Sequence, residues 1–126
     1  VLFCSGKIAW DIEAALEASE ESAARTAVVR LEQLYPFPGA GIRDALTGFG
    51  SDPDLVWVQE EPRNMGAWTF VESRFREILE APIRYIGRPE RASPAEGVAG
   101  DHQEEQTRIL GAALGEAPAG ARRIGT

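Results

Sequence analysis

Cysteine, histidine and methionine occur once each among the 126 residues, and each scarcity removes a class of chemistry. With Cys4 alone no internal disulfide can form. Its place in an apolar run makes it read as a small buried hydrophobe, with a reactive thiol as the alternative. One histidine, His102, and one cysteine cannot supply a zinc-type cluster, so no metal site is expected and His102 reads as a capping or surface residue. No apolar run approaches the roughly 20 residues needed to cross a bilayer, and no membrane partner is expected. Basic residues number 13 against 20 acidic ones, a net charge of -7 that repels phosphate backbones and argues against nucleic acid as the main partner. There is no initiator methionine and no polar lead-in before Val1, Leu2, Phe3 and Cys4. Chain ends seldom carry a core strand, so the sequence reads as starting inside a longer protein.

What is present suits one α/β domain. The hydrophobic fraction of 44% and charged fraction of 26% are ordinary for a globular chain, and a chain of this size buries roughly two thirds of its unfolded surface, enough for one core. Four apolar runs rich in β-branched and aromatic residues predict strands: Val1 to Cys4, Thr26 to Leu31, Leu55 to Val58 and Ile83 to Ile86. Between the first two, Ile8, Ile12, Ala15 and Leu16 share a helical face, predicting a helix that ends near Ser22. Ile42, Leu46 and Phe49 make a shorter stripe. Trp68, Val71, Phe75, Ile78 and Leu79 keep helical spacing up to a stop before Pro82. Asp101 with Glu104 three residues on forms a capping-box pattern ahead of Ile109, Leu110, Ala113 and Leu114. Strands alternating with helices imply parallel pairing by right-handed crossovers, hence an open, mainly parallel sheet with helices on both faces. Glu116 to Thr126 has no periodicity, so the domain is expected over residues 1–115 with a flexible tail over 116–126.

In such a sheet ligands gather past the carboxyl ends of the strands, which directs attention to four loops: Ser5 to Lys7, Glu32 to Pro38, Gln59 to Trp68 and Gly87 to Gly100. Ser5, Gly6 and Lys7 lack the longer glycine-rich run of a phosphate-binding loop, and Ile8 follows the lysine. Lys7 reads as an exposed residue on a tight turn, with an anion contact as the alternative. Pro36 and Pro38 shape the second loop. The third loop sets Glu60 and Glu61 beside Arg63 and Asn64, with Gly66 permitting a turn. Paired carboxylates can act as acid and base, yet no His, Ser or Cys nucleophile stands near them. The group reads as ion pairs and hydrogen bonds that fix the loop or a subunit contact, and no catalytic residue is expected in this chain.

FCSGK at Phe3 to Lys7, VRLEQLYPFP at Val29 to Pro38, WVQEEPRNMGAW at Trp57 to Trp68 and YIGRPERASPAEG at Tyr85 to Gly97 together resemble one family. It is the thiamine-diphosphate-dependent decarboxylating component of 2-oxoglutarate dehydrogenase, of which this chain resembles the last, transketolase C-terminal-type domain from Val1 to about Leu114. The resemblance implies a three-layer domain with four parallel strands in the order 2-1-3-4 and a further antiparallel edge strand before Val1. It implies that thiamine diphosphate and magnesium are held between upstream domains of two subunits, so that no cofactor-binding residue falls here. The implied activity is oxidative decarboxylation of 2-oxoglutarate with succinyl transfer to a lipoyl group in the tricarboxylic acid cycle. The implied partners are the second subunit of a homodimer, the upstream domains and the lipoyl succinyltransferase component. The implied location is the bacterial cytoplasm or, in a eukaryote, the mitochondrial matrix.

The paralogue acting on 2-oxoadipate shares these motifs, and the substrate pocket lies elsewhere. Some relatives bind acetyl-CoA as an activator against this domain, and the matching VRLEQ motif implies Gln33 near such a ligand. In a regulatory reading Lys7, Gln33 and Arg63 converge at the strand ends on an acyl-CoA or nucleotide-like ligand. A purely dimerising domain is a third reading, with Gln59, Glu60, Glu61, Arg63, Asn64 and Trp68 as candidate interface residues. The stretch VAGDH from Val98 to His102 departs from the family's Ser- and Lys-containing spacer.

Overall fold

Successive side chains of a strand point to opposite faces, and β1 (Leu2–Cys4) sends Leu2 and Cys4 one way and Phe3 the other. The computed structural model, which describes residues 1–92 and 99–115, continues through α1 (Ile8–Glu17), α2 (Glu20–Arg25), β2 (Val28–Arg30) and α3 (Gly39–Leu46). It then runs through β3 (Val56–Pro62), α4 (Trp68–Leu79), β4 (Arg84–Arg88) and α5 (Ala99–Ala113). The four strands are parallel in the order β2-β1-β3-β4, with Leu2 beside Val28 and Val56, and Val56 beside Arg84.

Because all the strands run one way, their connections must cross over, and the helices cover both faces. Leu2, Cys4, Val56, Val58 and Ile86 pack against Ile8 and Ile12 of α1 and Ile109 and Ala113 of α5. On the other face Phe3 and Trp57 meet Ile42 of α3 and Trp68, Val71 and Phe75 of α4. Phe75 is the centre of that second layer, its ring 4.8 Å from that of Phe3 and 5.3 Å from that of Phe37. The result is the open three-layer α/β fold in the anticipated strand order.

Several boundaries differ from the sequence reading. The helix expected to run to Ser22 is two helices, because Ser19 takes up extended backbone and its Oγ accepts a bond from Ser22 N at 3.3 Å, capping α2. The second strand is shorter than Thr26 to Leu31 and the fourth extends to Arg88. β3 does not stop at Val58 but runs through Gln59, Glu60, Glu61 and Pro62, so the first four residues of the expected loop are strand. Pro62 is tolerated because the ladder with β4 shifts register between Val58 and Pro62, where a missing N–H is cheap. α5 opens at Ala99, so Asp101 lies inside its first turn and favours the helix by charge rather than as the capping residue. The proposed tail over 116–126 and residues 93–98 of the fourth loop lie outside the described residues.

Candidate functional site

The carboxyl end of β3 is organised by one amide. Gln59 is 3% exposed, and its Oε1 accepts bonds from Trp57 Nε1 and from the backbone N of Trp68, both at 3.0 Å. Its Nε2 reaches the carbonyl oxygens of Glu61 at 3.2 Å, Pro62 at 3.0 Å and Met65 at 2.9 Å. The amide closes the turn from β3 to α4. It also serves the open N-terminus of α4, where Ala67 at the cap position has no side-chain acceptor to offer. Gly66 turns there with φ of +63°, and a Cβ would stand 3.1 Å from both Gln59 Oε1 and Glu61 Cβ.

Tyr85 of β4 folds over Gly87, two residues along the same strand face. Its hydroxyl donates to the Arg88 carbonyl at 2.7 Å and lies 3.2 Å from that of Glu61, and burial pushes the phenol above its ordinary range. Arg63 lies over this aromatic pair, its guanidinium carbon 5.6 Å from the Trp68 ring centre and 5.1 Å from that of Tyr85. Asn64 exchanges two bonds with the Arg91 backbone, donating to its O at 2.9 Å and accepting from its N at 3.1 Å. β3's turn and the exit of β4 are thereby tied together.

Glu60 and Glu61 do not form a facing pair, because neighbours on a strand diverge. Glu60 points to the α1 and α5 side, where it accepts from Gln106 Nε2 at 2.9 Å and stands 3.5 Å from Lys7 Nζ. Lys7 also binds Asp11 at 2.7 Å, and Gln106 Nε2 reaches that same Asp11 oxygen at 3.1 Å. The bond to Asp11 first, and then the Glu60 charge, raise the Lys7 ammonium above its ordinary pKa. The Glu61 side chain is exposed on the other side, near Gly66.

The sequence-derived candidates therefore sit at one end of the sheet but with separate partners. Lys7 and Gln33 are exposed, and Gln33 Nε2 donates to the carbonyl of Tyr35 at 2.8 Å. An open groove of about 390 Å³ begins at that tyrosine, lined by Tyr35, Pro36, Phe37, Arg74, Glu77 and Ile78. Glu61, Arg63 and Asn64 are exposed, Glu60 is half-buried, and Gln59 and Trp68 are inside the domain. Three participants were not legible beforehand: Gln106, the buried Arg88 and the Tyr85–Gly87 overlap. A glycine inside a strand was the available signal for the last of these.

Comparison with known proteins adds the identity of the frame. A family model described as "2-oxoglutarate dehydrogenase C-terminal" matches residues 1–114. The chain is 47% identical over 112 residues to a "2-oxoglutarate dehydrogenase E1 component" of Shouchella clausii, covering 87% of this chain and 12% of that protein. It is 47% identical over 116 residues to the protein of the same name in an Exiguobacterium species, covering 90% of this chain and 12% of the relative. A "2-oxoadipate dehydrogenase complex component E1" of Xenopus laevis is 38% identical over 109 residues, 86% of this chain and 12% of the relative. The chain thus spans about 12% of the length of the curated relatives it matches. With the motif-bearing strand ends, the four parallel strands and the match over residues 1–114 all in agreement, this chain belongs to the 2-oxoglutarate dehydrogenase C-terminal family.

Proposed function

We propose that this chain works as the C-terminal domain of a decarboxylating 2-oxoglutarate dehydrogenase component, an oxidoreductase that decarboxylates 2-oxoglutarate and passes the succinyl group to a lipoyl protein. The family match over residues 1–114 carries this reading. Both relatives at 47% identity bear that component's name, which favours 2-oxoglutarate over 2-oxoadipate as substrate. Thiamine diphosphate and magnesium would be supplied by the rest of the protein.

In this reading residues 1–115 form the domain and its contribution is architectural, stabilising a homodimer that docks the lipoyl succinyltransferase component in the bacterial cytoplasm. Gln59 and Trp68 would brace the turn from within and Glu60 would fix it to α1 and α5 through Lys7 and Gln106, while the exposed Glu61, Arg63 and Asn64 would face the partner. The full-length protein, loaded with thiamine diphosphate and magnesium, should decarboxylate 2-oxoglutarate and run as a dimer by light scattering. Truncation before Val1 should abolish both. A truncated protein that kept its dimer and its turnover would end this assignment.

The regulatory reading keeps one observation in its favour: Gln33 is exposed beside the open groove at Tyr35. With Lys7 and Arg63 it could meet an acyl-CoA. Calorimetry of the full-length protein with acetyl-CoA tests it, the expected result being binding that weakens in Gln33→Ala. No heat of binding, or unchanged binding in the variant, removes the site.

A further inference from the structure

His102 stands on the first turn of α5 with Nδ1 2.8 Å from Nη2 of Arg88. Arg88 is 3% exposed at the end of β4, and a guanidinium is a permanent cation in proteins. A guanidinium has five N–H donors and no acceptor, so it must be the donor of this contact. The imidazole must then present a lone pair at Nδ1 and carry its single proton on Nε2. Arg88 has no other side-chain acceptor among the described residues, for its buried Nε has no partner. The pair is thus a buried permanent cation resting on a neutral ring that is itself exposed to solvent and its protons.

We propose that His102 is a proton-operated latch between α5 and β4. In its neutral form it accepts from Arg88 and holds the first turn of α5 against the sheet. Protonation places an N–H where the lone pair was, so the guanidinium loses its acceptor and faces a second cation. A positive charge on the first turn also opposes the helix dipole, which favours release in the same direction. Among the described residues Arg88 on β4 contacts the ring, Asp101, Glu105 and Arg108 share α5 with it, and Arg91 lies beyond β4, with Arg88, Arg91 and Arg108 all acting on Glu105. Glu105, one turn along, is held by Arg108 at 2.8 Å. That bond first, then the charges of Arg108, Arg88 and Arg91, keep its carboxyl below the ordinary range. It is therefore already ionised and engaged where an imidazole titrates, and offers the protonated ring little new compensation.

Hydrogen–deuterium exchange of the full-length protein, followed by mass spectrometry at about pH 7.5 and about pH 5.5 and corrected for intrinsic exchange chemistry, reads the latch directly. Peptides from the first half of α5 should open on the order of tenfold more readily at the lower pH, while peptides from β1 and β3 stay unchanged. His102→Asn puts an amide oxygen near the position of Nδ1 and does not titrate, so this variant should exchange slowly at both pH values. Equal pH dependence in wild type and His102→Asn rejects the latch, as does no pH dependence in the wild type. Rapid exchange of the variant at both pH values rejects it too, because a neutral acceptor would then not hold the helix.

Discussion

Gln59→Met removes every hydrogen bond of the central amide while keeping its length and much of its volume, which isolates the polar contribution of the turn. Two buried donors, Trp57 Nε1 and the backbone N of Trp68, lose an acceptor at 3.0 Å each, and no other partner stands ready inside the core. At about 1–3 kcal/mol for each buried group left unsatisfied, the donors alone imply a loss of roughly 2–6 kcal/mol. The carbonyls of Glu61 and Met65 add less, because their bonds are only part-buried and water can replace the amide there. A domain of this size is stable by about 5–15 kcal/mol, so the variant should remain folded but close to its limit. Urea unfolding followed by tryptophan fluorescence suits the question, since Trp57 and Trp68 are the two donors. The midpoint should fall by roughly 1–3 M with little change in slope. A loss below about 1 kcal/mol would refute the claim that Gln59 holds this end of the sheet.

Three further outcomes follow from single features of the structure. Gly87→Ala would set a Cβ 2.6 Å from Cζ of Tyr85 and 2.9 Å from the carbonyl oxygen of Gln59. It should cost about 1–3 kcal/mol in the same unfolding assay, with a non-additive partial recovery in the Tyr85→Leu background because the carbonyl overlap persists. Glu80 ends α4 in the left-handed region with φ of 50°, so Glu80→Gly should raise stability by about 0.5–1 kcal/mol, seen as a higher Tm. Burial, the largest cause, pushes the Cys4 thiol from 9.0 up to about 11, with the Glu13 charge adding to it. The thiol should resist disulfide reagents at about pH 8 until the chain unfolds. Because the folded pKa is the higher one, this contribution is complete below pH 9.0 and is lost as pH rises towards about 11. Cys4→Ala should flatten that alkaline decline in a pH series of urea midpoints.

Much of the frame was legible because it depends on periodicity. The apolar run from Val1 to Cys4 and the spacing of Trp68, Val71 and Phe75 are local consequences of strand and helix geometry, while the division of Leu2 and Cys4 from Phe3 between two cores emerged with the sheet. The break at Ser19 was missed because Ile8 to Leu16 and the polar residues after them continue without a proline or glycine. The end of β3 was misplaced because Gln59 to Pro62 looks like a polar loop, and a buried strand of polar residues is recognisable only with its partners in place. The same misplacement hid the divergence of Glu60 and Glu61, which follows at once when both lie on a strand.

By itself the sequence determined the α/β class, the number of strands, the apolar runs and stripes that build the core and, through its motifs, the family. These rest on short-range patterns that every window of the chain carries. Only the tertiary structure decided which polar groups meet: Gln59 with the N-terminus of α4, Lys7 and Gln106 with Glu60 across α1, β3 and α5, and Arg88 with His102 across β4 and α5. Hydrogen bonds of this kind join residues as far apart as 95 positions. Their geometry is fixed by how the layers pack, since side-chain bonding depends on distance and direction in space and leaves no period in the sequence.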